Sequence, residues 1–209
     1  MRGRFKTFLR LVRQGNYLDL MEAFLSFLNK FGIIIQVSNF FSCDHDRDLP
    51  KIRFAGFQVR TLVKDDLKPI AEFAGKEPAL YRKRITEFDD ECREMTFKEE
   101  LVGYCWLSRK MMRVPELDFK RELRDGEVYL YDGMIREDMR NRGFFGIFLI
   151  GLIREVVAQH GNFTISIDFT NYKSRGTYTK LGFVKIGTSV LIRLWGLVVF
   201  RHESSALKK

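Results

Sequence analysis

The sequence predicts a mixed α/β or α+β domain, a β-sheet with helices packed on it, behind a helical extension over residues 1–50. Three observations carry this. From residue 52 onward the apolar runs fall in the order strand, helices, hairpin, strand, helix, strand, helix, strand, strand, which is the pattern of a layered sheet domain. Residues 128–153 read as a strand, a basic turn and a helix. A hydrophobic content of 45%, with 20 Phe, fills a core, and only 4 Pro and 16 Gly in 209 residues exclude a disordered or low-complexity chain.

The opening segment has helical spacing. Phe5, Phe8, Leu9 and Val12 fall at i, i+3, i+4 and i+7, with Arg2, Arg4, Lys6, Arg10 and Arg13 around them. Gly15 and Asn16 break this helix. A second runs over residues 17–30, with Leu20, Met21, Phe24, Leu25 and Leu28 on its apolar side, and Gly32 stops it. Residues 33–37 form a short strand. Two readings stand for this segment. One is a basic amphipathic anchor making weak contact with anionic membrane. The other, favoured because the second helix is too apolar to leave uncovered, is a helical hairpin packed on the main domain.

Residues 46–51, with Pro50, form a polar joint to the main domain at 51–209. A strand follows at 52–62, then a helix at 63–73 carrying Leu67, Ile70 and Phe73, and a short helix opened by Pro78. Residues 91–97 and 101–107 are strands of a hairpin joined by Lys98, Glu99 and Glu100. Residues 111–125 are charged and read as a surface loop. After the central strand, turn and helix, a strand spans 163–169. A helix opens at Thr170 and Asn171 and closes at Leu181-Gly182-Phe183, where glycine suits a C-cap. Two last strands span 184–188 and 190–200, with Gly196 as a kink.

Lys+Arg 36 against Asp+Glu 27 gives 36 − 27 = +9. That favours polyanionic partners, nucleotide phosphates or anionic lipid. The charge is spread along the chain rather than clustered, so nucleic acid is not expected. Cys43, Cys92 and Cys105 are an odd number without CxxC spacing. They suit a reduced, cytoplasmic setting rather than a disulfide framework or a zinc site. Cys43-Asp44-His45-Asp46 are neighbours in a row, which do not converge on one ion, so no metal is expected. No signal peptide is recognised, and the uncharged apolar run 143–153 is too short to span a bilayer.

The chemistry centres on Arg140-Asn141-Arg142-Gly143-Phe144-Phe145-Gly146. A helix start leaves backbone N–H groups without partners and carries partial positive charge. Two arginines and a glycine there make a phosphate seat. It lacks the Lys-Ser/Thr pair of a Walker A loop and the glycines of GxGxxG, so a phosphate ligand without magnesium fits better than ATP.

A second motif lies just past the next strand: Asn171, Tyr178 and Leu181-Gly182-Phe183. Together the two motifs resemble those of the GNAT superfamily of acyl-CoA N-acyltransferases. Its first signature is a strand, Arg/Gln-x-x-Gly-x-Gly/Ala and a helix. Arg140 and Gly143 fit; the last small position falls on Phe145, and Gly146 comes one place later. The element order over residues 52–200 matches as well. The resemblance implies a mixed, mostly antiparallel sheet of about six to seven strands flanked by helices.

It also implies an acetyl-CoA-dependent N-acetyltransferase without a metal, in which an amine attacks the bound thioester directly in a ternary complex. Arg140, Asn141, Arg142, Gly143, Phe144, Phe145 and Gly146 would cradle the pyrophosphate. Met134 and Ile135 would pair with the pantetheine arm, in a split between this strand and the next. Asn171 and Ser174 would hold the cofactor arm, and Tyr178 would protonate the departing thiolate. A carboxylate must take the amine's proton. Asp132 is the first candidate, followed by Glu91 and Glu94. Tyr104, Trp106 and Tyr131 are candidates for stacking on a flat acceptor. Family members with a helical extension suggest an amino sugar or a surface-polysaccharide precursor; a peptide amine or a longer acyl donor stays open. The alternative is a catalytically inactive binding or regulatory module held peripherally at a membrane. It is motivated by Phe145 and the basic N-terminal helix. The acceptor is otherwise expected to be a small-molecule amine, and the sequence does not set an oligomeric state.

Overall fold

The computed structural model describes residues 17–44, 49, 56–62, 67–158 and 161–207. The basic stretch from Arg2 to Arg13, His45, Asp46 and the start of the strand expected at residue 52 lie outside the described residues. In chain order the elements are α1 (Tyr17–Asn29), β1 (Ile33–Cys43), β2 (Phe57–Leu62), α2 (Leu67–Ala74), α3 (Pro78–Phe88), β3 (Glu91–Phe97), β4 (Glu100–Ser108), β5 (Met111–Val114), β6 (Phe119–Glu122), β7 (Glu127–Ile135), α4 (Phe144–Ala158), β8 (Asn162–Asp168), α5 (Tyr172–Lys180), β9 (Val184–Leu194) and β10 (Leu197–Glu203). Eight strands form one sheet in the order β10-β9-β1-β8-β7-β4-β3-β2, and β5 and β6 form a separate hairpin. Every neighbouring pair is antiparallel except β7 and β8.

Both faces of the middle strands are covered. Along β4, Cys105 and Leu107 face one core with Phe148, Leu149, Leu152 and Ile153 of α4, and Tyr178 of α5. Tyr104 and Trp106 alternate with them and face a second core with Leu67, Ile70 and Ala71 of α2 and Tyr81 of α3. Strands covered on both sides read as continuous apolar runs, and for this reason residues 101–107 and 128–131 stand out in the sequence.

Three expectations change. Residues 33–37 are part of an eleven-residue strand, β1, that lies between β8 and β9 in the sheet. Its polar residues obscure it in sequence, yet they bond across the sheet. Asn39 Oδ1 accepts from Thr188 Oγ1 at 3.0 Å, and Ser42 Oγ donates to Asn162 Oδ1 at 2.6 Å. Residues 111–125 are not a surface loop but contain the β5–β6 hairpin. Met112, Val114, Leu117 and Phe119 are buried against Phe40, Tyr129 and Leu191. Gly196 is not a kink within a strand. Trp195 and Gly196, at φ 48° and 86°, form the turn between β9 and β10, a pairing of positive φ values that suits a two-residue hairpin.

Glu127 ties the hairpin to the sheet. It is 7% exposed. Its carboxylate accepts from Arg121 Nη1 at 3.0 Å, from Thr164 Oγ1 of β8 at 2.8 Å and from the Arg124 backbone N–H at 3.2 Å. Burial alone raises its pKa, but these donors outweigh it and hold the carboxyl below the ordinary glutamate value of 4.5. The stabilisation is therefore present above that value and is lost as pH falls through the lower folded value. Glu127→Gln leaves Arg121 without a charge partner and is expected to cost on the order of 3 kcal/mol at neutral pH. Thermal unfolding of both proteins across the acid range checks this: the variant should show a lower Tm at pH 7 and a shallower acid slope, and identical slopes would contradict it.

Candidate functional site

The site starts where β7 parts from β8. Their parallel register runs Glu127↔Asn162, Val128↔Phe163, Tyr129↔Thr164, Leu130↔Ile165 and stops there, although β7 continues to Ile135 and β8 to Asp168. On its other side β7 stays paired with β4, but with an irregularity. Trp106 faces Tyr131 and Tyr104 faces Met134, so two β7 residues, Asp132 and Gly133, lie opposite Cys105. Asp132 has φ 48°. An extra residue with positive φ is a β-bulge, which bends its strand and sharpens its twist. The edge of β7 from Tyr131 to Ile135 is thereby left without β8 as a partner. Met134 and Ile135 lie on this edge, which offers backbone N–H and C=O groups to an extended ligand.

The edge leads into the basic loop. After a 3-10 turn at Glu137–Met139, Arg140 donates from Nε to the Ile135 carbonyl at 3.1 Å, tying the loop to the end of β7. Asn141 and Gly143 take positive φ, 61° and 82°. At the start of α4 the Ile147 N–H donates to the Gly143 carbonyl at 3.1 Å. The amides ahead of it lie at the open helix end, where the helix dipole is positive. Arg140, Asn141, Arg142 and Gly143 are exposed. A Cβ built on Gly143 or Gly146 would meet nothing within 4 Å, so the seat is open. Phe144 anchors this helix end by packing on Phe57 and Phe97, with ring centroids 5.1 and 5.8 Å away.

Phe145 points away from the seat. Its ring meets Tyr178 edge to face at 5.9 Å, and a Cβ on Gly133 would lie 3.2 Å from it. Tyr178 is buried and also packs on Phe183 at 5.1 Å. Burial pushes its phenol pKa up, and the neighbouring Cys105 and Tyr129 push the same way, so the hydroxyl keeps its proton at neutral pH. Asn171 caps α5: its Oδ1 accepts from the Ser174 N–H at 3.1 Å. Leu181-Gly182-Phe183 closes that helix, with Gly182 at φ 86° and the Phe183 N–H donating to the Tyr178 carbonyl at 3.1 Å. The second motif therefore fixes Tyr178 from both ends of α5.

The candidate bases do not converge. Asp132 Oδ2 accepts from Arg84 Nη1 of α3 at 2.6 Å, on the α2–α3 face of the sheet. Glu91 lies on the opposite face. It accepts from Arg93 Nη2 and Arg109 Nε, each at 2.9 Å, and Arg93 continues to Glu155 of α4. Burial raises the Glu91 pKa, but the two arginines outweigh it and hold the carboxyl below its ordinary value. A carboxylate so held is a weak proton acceptor, and Glu91 does not face Asp132. Glu94 is buried on the α2–α3 face and accepts from Arg60 Nε.

The aromatic platform is also corrected. Tyr104 and Trp106 are 1% and 0% exposed, so neither can stack on a ligand from solvent. Trp106 stacks on Tyr81 at 5.3 Å, and the Tyr104 and Tyr81 hydroxyls lie 3.2 Å apart. Tyr131 donates its hydroxyl to Asp90 Oδ2 at 2.6 Å. Sequence reasoning missed Arg84, whose guanidinium lies 5.0 Å from the Tyr81, Trp106 and Tyr131 ring centroids while it holds Asp132. The bulge had a signal in the Asp132-Gly133 pair, since a glycine inside a strand marks such irregularities.

Comparisons with known proteins bear on the fold. Residues 121–192, from β6 through most of β9, match the family model described as FR47-like protein. No curated protein matches the sequence at a significant level. Among solved structures, a functionally unknown conserved protein from Staphylococcus epidermidis is similar at TM-score 0.57 and 11% identity, over 81% of this chain and 66% of that one. A GNAT-family acetyltransferase from Colwellia psychrerythraea is similar at TM-score 0.55 and 11% identity, over 78% of this chain and 57% of that one. A GCN5-related N-acetyltransferase from Sphaerobacter thermophilus is similar at TM-score 0.53 and 14% identity, over 87% and 56%. The chain thus spans less than two thirds of the length of each. The chain thus has the fold of these GNAT-family acetyltransferases, and residues 121–192 of it match the FR47-like model.

Proposed function

We propose that the protein is an acyl-CoA-dependent N-acyltransferase that moves an acetyl group from acetyl-CoA to a primary amine. The observation that carries this reading is the free edge of β7 running into the open, basic loop at Arg140 to Gly146. The loop amides and Arg142 would receive the pyrophosphate, with the N-terminal end of α4 adding its dipole. Met134 and Ile135 would hydrogen-bond the pantetheine arm as a further strand. Asn171 and Ser174 sit at the start of α5, where their side would border the arm.

The amine would attack the thioester carbonyl in the split. A C–N bond forms, the C–S bond breaks, and the sulfur leaves as a thiolate. Tyr178 would supply the thiolate's proton, since its buried hydroxyl is held in the neutral form. Asp132, directly or through water, would take the proton the amine loses. Its Oδ2 is held by Arg84, leaving Oδ1 for that task. No covalent enzyme intermediate is needed. The cysteines are unsuited to one: all three are buried, and desolvation pushes the Cys92 thiol up to about 12. With Tyr104 and Trp106 enclosed, stacking on a sugar loses its support, and the acceptor is proposed only as a small primary amine. CoA release from acetyl-CoA with a panel of amines tests the step. Tyr178→Phe should lower kcat by roughly a hundredfold while the acetyl-CoA Kd stays unchanged, and unchanged turnover would remove Tyr178 as the acid.

A second reading, peripheral membrane attachment, is favoured by one surface. Phe24 and Phe27 of α1 and Phe31 in the turn after it stand 52%, 54% and 57% exposed, and Trp195, beside Gly32, is 78% exposed. Aromatic residues on a basic protein suit the interface of an anionic bilayer. Replacing the three Phe by Ser should cut cosedimentation with phosphatidylserine vesicles roughly tenfold; no cosedimentation of the wild-type chain would dismiss this reading.

A further inference from the structure

We propose that Phe145 sets the length of acyl group the site accepts, an inference that rests on the acyl-CoA reading above. Its ring bridges the two walls of the split. One wall is the β7 bulge, where a Cβ on Gly133 would sit 3.2 Å from ring atoms Cε2 and Cζ. The other is α5, where Tyr178 meets the ring edge to face at 5.9 Å. The bulge also brings Cys105 into the same corner, 3.7 Å from that Cβ position. Phe145 therefore spans from the bulge to α5 on the α4 side of the split.

The ring is held in place. Phe144, its neighbour, packs on the stacked Phe57–Phe97 pair and pins the first turn of α4. Phe145 itself packs against the main core cluster that contains Cys105, Ile135 and Tyr178. Packed interiors yield little space without moving side chains off their preferred rotamers. Tyr178 touches this ring, so a thioester held on the β7 edge with its sulfur beside Tyr178 would bring its acyl tail to Phe145. An acetyl group would end before the ring, whereas a long acyl chain would need the volume the ring fills. The family signature places a small residue at this position, which would leave that volume empty; this chain places a phenylalanine there.

Calorimetric binding of acetyl-CoA and octanoyl-CoA to the full chain tests the inference. The wild-type protein should bind acetyl-CoA at least about tenfold more tightly than octanoyl-CoA, a difference of about 1.4 kcal/mol. Phe145→Ala should abolish or reverse that preference. Phe145→Leu, which keeps an apolar side chain in the core, should fall between the two and guards against a folding defect in the alanine variant. Equal binding of both ligands by the wild type, or an unchanged ratio in the variants with acetyl-CoA still bound, overturns the length filter and leaves the acyl-CoA site standing. Failure of the wild-type chain to bind either ligand overturns the site reading and this inference with it.

Discussion

The bulge on β7 opposite Cys105 is the constraint on which the rest of the site depends. Two β7 residues, Asp132 and Gly133, occupy the space of one. The strand bends, its pairing with β8 ends at Leu130 and Ile165, and an unpaired edge remains inside an otherwise continuous sheet. An unpaired edge is normally a hazard. Here it lies within the sheet, between β4 and the diverging β8, rather than at the rim, which suits a slender ligand better than another sheet. The same bulge orients Asp132 toward Arg84 and brings Gly133 under the Phe145 ring. A Cβ at residue 133 would press on that ring at 3.2 Å.

Packing on both faces keeps the bulge from relaxing. On one side Phe148, Leu149, Ile150, Leu152, Ile153 and Val156 of α4 are almost wholly buried, and each contributes roughly 2 kcal/mol of burial. On the other, Arg84 is held against Tyr81, Trp106 and Tyr131, within reach of Asp132. Cation–π contacts and a partly buried ion pair fix that arginine more firmly than a surface salt bridge would. The loop from Arg140 to Gly143 is exposed, by contrast, and is attached to the strand by the bond from Arg140 to the Ile135 carbonyl. A rigid edge joined to an accessible basic loop suits a ligand with an extended arm and a charged end.

Much of this was legible in the sequence. The long apolar run after Gly143 predicts α4, and the basic turn before it predicts the open helix end. The Asn171 to Phe183 motif predicts α5, with its cap and its closing glycine, and both form as expected. Features built from distant residues were not legible. β1 is disguised by Ser38, Asn39 and Ser42, whose polar groups are buried or bonded across the sheet only once the strand is in place. The β5–β6 hairpin alternates Met112 and Val114 with charged residues, and its burial depends on Phe40 and Leu191 from other strands. Arg84 draws its partners from α3, β4 and β7, and no spacing along the chain announces such a convergence. Glu91 looked equivalent to Asp132 as a carboxylate. Strand alternation places them on opposite faces, which is a matter of register rather than residue type.

The central claim is that the β7 edge and the loop after it together seat an acyl-CoA. Hydrogen–deuterium exchange of the full chain with and without CoA tests it most directly, because a ligand pairing with the edge must protect the amides it bonds. The account predicts slowed exchange at residues 132–135 and 141–146, with the β9–β10 hairpin unchanged. Unaltered exchange across both segments at saturating CoA, or protection confined to other parts of the sheet, would contradict it.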